Sequence, residues 1–185
     1  DLSILAQSFI LRFPNLYSSW FKDKYFKYNK IKQTNRNRLL WRHDYIDGIK
    51  TGHTDEAGYC LISSGLIKNT RLISVVLGTR NPNERDKASD TLLTYGFRFF
   101  ETLTFHTANT PFTEAPVWGG QNNTVQLASS DSISATIPKS ASSHVHLNIN
   151  KNKSITAPVH TGDILGEAII ELNNQILHKS SLLAS

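Results

Sequence analysis

Apolar residues return every three or four positions in the opening stretch Asp1-Leu-Ser-Ile-Leu-Ala-Gln-Ser-Phe-Ile-Leu-Arg-Phe13, and Pro14 follows. The spacing predicts a helix that stops at Phe13, with a short helical or irregular piece over Leu16 to Phe21. From Lys24 to Arg38 the residues are polar and read as extended chain. Two apolar, β-branched runs come next, Tyr59-Cys-Leu-Ile-Ser-Ser64 and Arg71-Leu-Ile-Ser-Val-Val-Leu-Gly78. The turn-forming Lys68-Asn-Thr70 joins them into a hairpin with one buried face. Asn81-Pro82 predicts a helix start, because the Asn side chain can accept from a free amide and proline is pre-set for the first turn. That helix carries Ala88, Leu92, Tyr95 and Phe99 at spacings of three and four, which makes this row its expected buried face. Beyond Leu103 short runs rich in Thr, Ser, Asn, Val and Ile are broken by Gly, Pro and Asn, the pattern of a small all-β module. The division is therefore expected at 1–103 and 104–185, and the class is α+β.

Composition narrows the picture. The chain has 185 residues and no methionine, so it is expected to be a processed or partial product. Its first residues lack the charged region and small-residue cleavage site of a signal peptide. No apolar run approaches the roughly 20 residues that cross a bilayer as a helix. The formal net charge is +5. Most of the excess lies between Trp20 and Lys50, where Lys22, Lys24, Lys27, Lys30, Lys32, Arg36, Arg38, Arg42 and Lys50 face only Asp23, Asp44 and Asp47. A solvated basic face accounts for most of these, and no zinc-finger spacing or RNP pattern points to a nucleic-acid partner. Cys60 is the single cysteine, which excludes an intrachain disulfide. Its place in an apolar run suggests core packing. His144-Val-His146 puts two imidazoles on one face of an expected strand, but zinc takes three or four protein ligands. No metal and no cofactor are expected.

The candidate chemistry centres on Lys50-Thr51-Gly52, at the end of a strand beginning near Asp47. The tripeptide alone is a weak signal, and its surroundings make it specific. Asp47-Gly-Ile-Lys-Thr-Gly-His-Thr-Asp-Glu-Ala-Gly-Tyr59 runs on to the strand ending at Gly78, with Asn29-Lys-Ile-Lys-Gln-Thr-Asn-Arg-Asn-Arg-Leu-Leu-Trp41 before it. Leu92-Leu-Thr-Tyr-Gly-Phe-Arg-Phe-Phe-Glu-Thr102, Pro116-Val-Trp-Gly-Gly120 and Thr136-Ile-Pro-Lys139 come after it. In these stretches the chain resembles the carboxyl-terminal part of the serine-type D-alanyl-D-alanine carboxypeptidases, the low-molecular-mass penicillin-binding proteins.

The resemblance implies part of a penicillin-binding, β-lactamase-like transpeptidase domain, an antiparallel sheet flanked by helices, followed by a small β-sandwich-like domain. It implies that Lys50 supplies positive potential for a substrate carboxylate and for proton traffic, and that the Thr51 hydroxyl lies beside that carboxylate. Gly52 lets a peptide lie along the strand edge, the His53 amide forms half of an oxyanion hole, and Thr54 is counted with them as substrate-binding. Arg36 and Arg85 match arginines near the same carboxylate. A plainer reading pairs both arginines with surface acids, worth about 0 to 1 kcal/mol.

The family also has an acylatable serine with its lysine (Ser-x-x-Lys) and a Ser-x-Asn element, both upstream of the tripeptide. Ser19-Trp-Phe-Lys22 satisfies the first literally but stands too close to Lys50 in sequence, and no serine satisfies the second. The chain alone is therefore expected to lack a catalytic residue and to be inactive. The resemblance further implies a parent that removes the terminal D-alanine of peptidoglycan pentapeptides and binds β-lactams. That parent is periplasmic, and a carboxyl-terminal amphipathic helix expected to be absent here keeps it peripheral to the inner membrane. Two other classes stay open. A β-lactamase shares Lys-Thr-Gly but has no β tail. A non-catalytic cell-wall-binding or scaffold module would use the basic cleft without turnover.

Overall fold

A computed structural model describes residues 1–185, which divide into two compact units, 1–99 and 100–185. Leu103, the expected boundary, falls inside a strand of the second unit.

In the first unit, helices α1 (Leu2–Arg12) and α2 (Pro14–Trp20) meet at Phe13-Pro14, where proline occupies the first position of the new helix. The polar stretch after them is a hairpin, β1 (Tyr25–Tyr28) and β2 (Ile31–Thr34). Its turn residues Asn29 and Lys30 take φ of 45° and 66°, the left-handed pair of a two-residue hairpin turn. A single helical turn, α3 (Leu39–Arg42), leads into the central sheet of β3 (Ile46–Thr54), β4 (Gly58–Ile67) and β5 (Thr70–Thr79), antiparallel in that order. Helix α4 (Pro82–Phe99) follows. Asn81 Oδ1 accepts from the Glu84 amide at 2.9 Å, which caps it.

Strand alternation sets the two faces of this sheet. Leu61, Leu72 and Val76 lie on the face under α4, and Leu39, Leu40, Ile46, Leu61 and Leu93 form its core with Tyr45, Leu72 and Phe97. Leu61 and Leu93 are buried, a side-chain burial worth about 1.5–3 kcal/mol each. Arg71 and Ile73 point to the opposite face, against Ile4, Ile10 and Leu11 of α1.

The expected buried row of α4 is corrected. Leu92, Tyr95 and Phe99 are exposed at 50, 57 and 46%, whereas Arg85, Asp86, Ser89 and Leu93 are buried. The helix carries two rows at helical spacing, and the sheet takes the one with small residues. Gly96 lies on the same side, where a Cβ would meet Leu72 Cδ1 at 2.5 Å and the Leu72 side chain would have to shift.

The second unit is all β apart from one 3₁₀ turn. Strands β7 (Thr113–Pro116), β8 (Thr124–Ala128), β10 (Val145–Lys151), β11 (Ile164–Leu172) and β12 (Gln175–Ala184) form a sheet ordered β10-β11-β12-β8-β7. Strands β6 (Phe100–His106) and β9 (Ile133–Pro138) pair separately. Both contribute to one core, in which Leu127, Ile133, Ala168, Ile170 and Leu182 are fully buried and Phe105 packs alongside.

His144 ends the 3₁₀ turn Lys139–His144, and His146 sits in β10 opposite Glu171, so the two imidazoles do not share one strand face as expected. No group of three or more His, Cys, Asp or Glu residues is placed to hold a metal ion. Cys60 is also corrected: it is half-buried, not part of the core, with Sγ 3.5 Å from the Ala57 carbonyl oxygen.

Candidate active-site cleft

Strand β3 carries the tripeptide as the outer strand of its sheet, with Lys50 opposite Ile62 and Gly52 opposite Cys60 on β4. Its start is held by a polar cluster on the α1 side. Arg71 of β5 reaches both Asp47 oxygens, at 2.9 and 2.8 Å, and donates to Ser64 Oγ at 2.7 Å. The Tyr17 hydroxyl of α2 donates to Asp47 Oδ1 at 2.6 Å. Burial first, and then the Asp47 carboxylate, push the Tyr17 hydroxyl pKa above its ordinary range. Burial works against the Arg71 charge, but the hydrogen bond and attraction of Asp47 outweigh it and raise its pKa. The cluster thus ties α2, β3, β4 and β5 together just ahead of Lys50.

A recess of about 680 Å³ opens beside that strand, lined by Arg36, Arg38, Lys50, Thr51, Gly52, His53, Tyr59, Pro82 and Arg85. Six of the seven residues singled out from the sequence are brought together here. Thr54 is not: its Oγ1 accepts from the Ala57 amide at 3.0 Å, in the turn from β3 to β4. Arg38, Tyr59 and Pro82 were missed. The Asn-Arg-Asn-Arg38 repeat was the signal for Arg38, and Tyr59 could be found only from its register opposite His53. Their rings lie 4.0 Å apart.

The charge of the recess is one-sided. No acidic residue lines it, while two arginines, Lys50 and His53 do so with Arg85. Lys50 Nζ donates to the Thr51 carbonyl at 2.6 Å, which folds the ammonium back along its own strand. Arg85 is buried, not a surface charge. Its Nε and Nη2 bind Asp86 Oδ1 at 3.0 and 2.7 Å, and Nη2 also donates to the Arg36 carbonyl at 3.1 Å. Asp86 therefore neutralises much of its charge, and Arg85 fastens the Arg36 loop to α4.

Gly52 is informative through space. A Cβ there would meet nothing nearer than Cys60 Cβ at 3.9 Å, so packing within the chain does not require glycine. A second recess, about 620 Å³, continues past Lys50 and Thr51 to Ile49, Ser19, Trp20, Tyr25 and Phe26. Ser19 Oγ donates to the Leu16 carbonyl at 3.1 Å, one turn back in its own helix.

Comparison with known proteins accounts for both units. The family described as D-alanyl-D-alanine carboxypeptidase matches residues 1–81, and the penicillin-binding protein 5 C-terminal domain matches 100–185. D-alanyl-D-alanine carboxypeptidase DacA of Escherichia coli K12 is 37% identical over 99% of the chain, which covers 46% of that protein. DacF of Bacillus subtilis is 30% identical over 100% of the chain and 48% of its own length. The crystal structure of penicillin-binding protein 5 from Haemophilus influenzae superposes with a TM-score of 0.84 at 35% identity, over 99% of this chain and 54% of that one. The chain thus spans about half the length of the relatives it matches. With the two matched regions following one another in sequence and the recess lying along β3 of the first, residues 1–81 belong to the D-alanyl-D-alanine carboxypeptidase family and residues 100–185 to the penicillin-binding protein 5 C-terminal domain family.

Proposed function

We propose that the chain supplies the substrate-binding strand of a serine D-alanyl-D-alanine carboxypeptidase whose nucleophile lies outside it. The observation that carries this reading is the gathering of Arg36, Lys50, Thr51, Gly52 and His53 around one recess without an acid. An extended peptide would add to the free edge of β3, with its terminal carboxylate held by the Thr51 hydroxyl and the Arg36 guanidinium and its path opened by Gly52. Lys50 adds positive potential there, and Arg85 acts mainly by holding the Arg36 loop. The His53 amide would face the carbonyl oxygen as negative charge develops.

In the whole protein, a serine oxygen attacks the carbonyl carbon of the penultimate D-alanine. The peptide C–N bond breaks, the terminal D-alanine leaves as its amine after taking a proton, and water then hydrolyses the serine ester. Penicillin would be held in the same recess and stop at the ester. A periplasmic setting and peripheral attachment to the inner membrane belong to the same proposal for the parent protein. In this chain no helix is long and apolar enough to cross a membrane.

Intact mass after incubation with excess benzylpenicillin tests the reading. The mass is expected to stay unchanged. A single stoichiometric adduct would overturn the placement of the nucleophile outside the chain, with Ser19 the first residue to replace. In parallel, an acetylated peptide ending in D-Ala-D-Ala is expected to shift the amide resonances of Lys50 to His53, and Thr51→Val to weaken that binding fivefold or more. A non-catalytic cell-wall-binding module predicts the same unchanged mass but no preference for D-alanine over L-alanine at the terminus.

A further inference from the structure

Beside the cleft, a separate recess of about 480 Å³ is lined by Thr34, Asn35, Arg36, Arg38, Trp41 and Arg42. Its charge is uncompensated. No acidic residue lines it, and the ion pairs of this unit, His43–Asp90, Arg71–Asp47 and Arg85–Asp86, use none of its three arginines. All three arginines are exposed.

The loop that presents them is held in place. Asn37 is buried, donates to the Gly48 carbonyl at 2.9 Å and accepts from the Leu39 amide at 3.2 Å, which pins the loop to β3 two residues before Lys50. Asn35 accepts from the Asn37 amide at 2.9 Å and donates to the Asp23 carbonyl at 3.0 Å. Arg38 Nη1 donates to Asn83 Oδ1 at 3.0 Å. Trp41 is 38% exposed, with the Tyr25 ring 6.1 Å away and at 84° to it, so part of an aromatic surface stands among the guanidiniums.

The Arg38 guanidinium, already positioned by Asn83, loses little freedom on binding, and a guanidinium matches a carboxylate with two parallel hydrogen bonds. An indole face beside it suits a peptide plane or an aliphatic side chain. Arg36 and Arg38 line both recesses, so the two share a wall. We propose that Arg38, Trp41 and Arg42 form a second subsite for a side-chain carboxylate of an acidic peptide whose terminal carboxylate sits in the Lys50 cleft. The inference rests on the functional reading above.

The test uses the ¹⁵N-labelled chain with four probes: a fully acetylated Lys-D-Ala-D-Ala, the same peptide extended by a glutamyl residue, capped acetyl-glutamate amide, and inorganic phosphate. The glutamyl peptide is expected to bind at least fivefold more tightly than the monoacid and to move the Trp41 Nε1 and Arg42 Nε signals. Arg42→Gln is expected to remove that gain, leaving monoacid affinity and thermal stability unchanged. Equal affinity of the two peptides, or a gain that survives Arg42→Gln, would overturn the subsite. Phosphate binding as tightly at Arg42 as the glutamyl peptide would overturn its assignment to a peptide. If the monoacid fails to move Lys50 to His53, the cleft reading falls, and capped glutamate then decides the subsite alone. A shift at Arg42 keeps it as a carboxylate site, and none removes it.

Discussion

Replacing Asp47 with alanine removes the centre of the cluster that holds β3. The carboxylate accepts two hydrogen bonds from Arg71 and one from the Tyr17 hydroxyl, with the Asp47 and Arg71 side chains 19 and 26% exposed. Cutting one partner from a fully buried pair costs about 3–5 kcal/mol, because the other charge stays desolvated. Here partial exposure lets water reach the guanidinium, and Ser64 Oγ still accepts from it, so we expect about 2–3 kcal/mol. With a urea slope near 1–1.5 kcal/mol/M, the midpoint of the first unit would fall by about 2 M.

Trp20 and Trp41 lie in this unit and Trp118 in the other, so Trp118→Phe makes fluorescence report the first unit alone. Asp47→Asn keeps an acceptor for Tyr17 and is expected to lose less than alanine. A double-mutant cycle with Arg71→Met isolates the charged pair. An alanine midpoint within about 0.5 M of the parent would refute the view that this cluster anchors the substrate strand.

The same cluster predicts a pH response. Because the folded pKa of Tyr17 is raised above its ordinary value of 10.0, its contribution is full below pH 10 and is lost as pH rises above it. Urea midpoints at pH 8 to 11 are expected to fall more steeply for the parent than for Tyr17→Phe, and parallel curves would discount the shift. For α4, Leu93→Ala is expected to cost about 2–5 kcal/mol and Leu92→Ala no more than about 0.5 kcal/mol. Chemical denaturation distinguishes them, and the reverse order would restore the row expected from the sequence.

Local chemistry was readable along the chain wherever one residue type did the work. Pro14 and Asn81-Pro82 mark helix boundaries because a missing donor and a side-chain acceptor act within a single turn. The hairpin of β4 and β5 follows from two β-branched runs around Lys68-Asn69. By contrast, Tyr25-Phe-Lys-Tyr-Asn-Lys-Ile-Lys32 was read only as extended. Its strand alternation was present, but Asn-Lys is a weaker turn signal than Asn-Gly.

Lys50, Thr51, Gly52, His53, Arg36 and Arg85 were legible as a set because family resemblance preserves short runs of contiguous residues. Periodicity established that α4 has an apolar row, but two rows share the 3.6-residue period. Packing against β5 buries Leu93, and Gly96 lies over Leu72 on that same face while Leu92, Tyr95 and Phe99 turn outward. The roles of Asp47 and Asp86 were likewise hidden, because their partners depend on strand register and helix rotation. Residue order determined the elements and the strand with Lys50-Thr51-Gly52, since propensity, capping and alternation act over a few residues. Tertiary structure alone decided which helix face is buried, which arginine is neutralised by Asp86 and which stand uncompensated at Trp41. Burial and pairing arise only when distant segments meet.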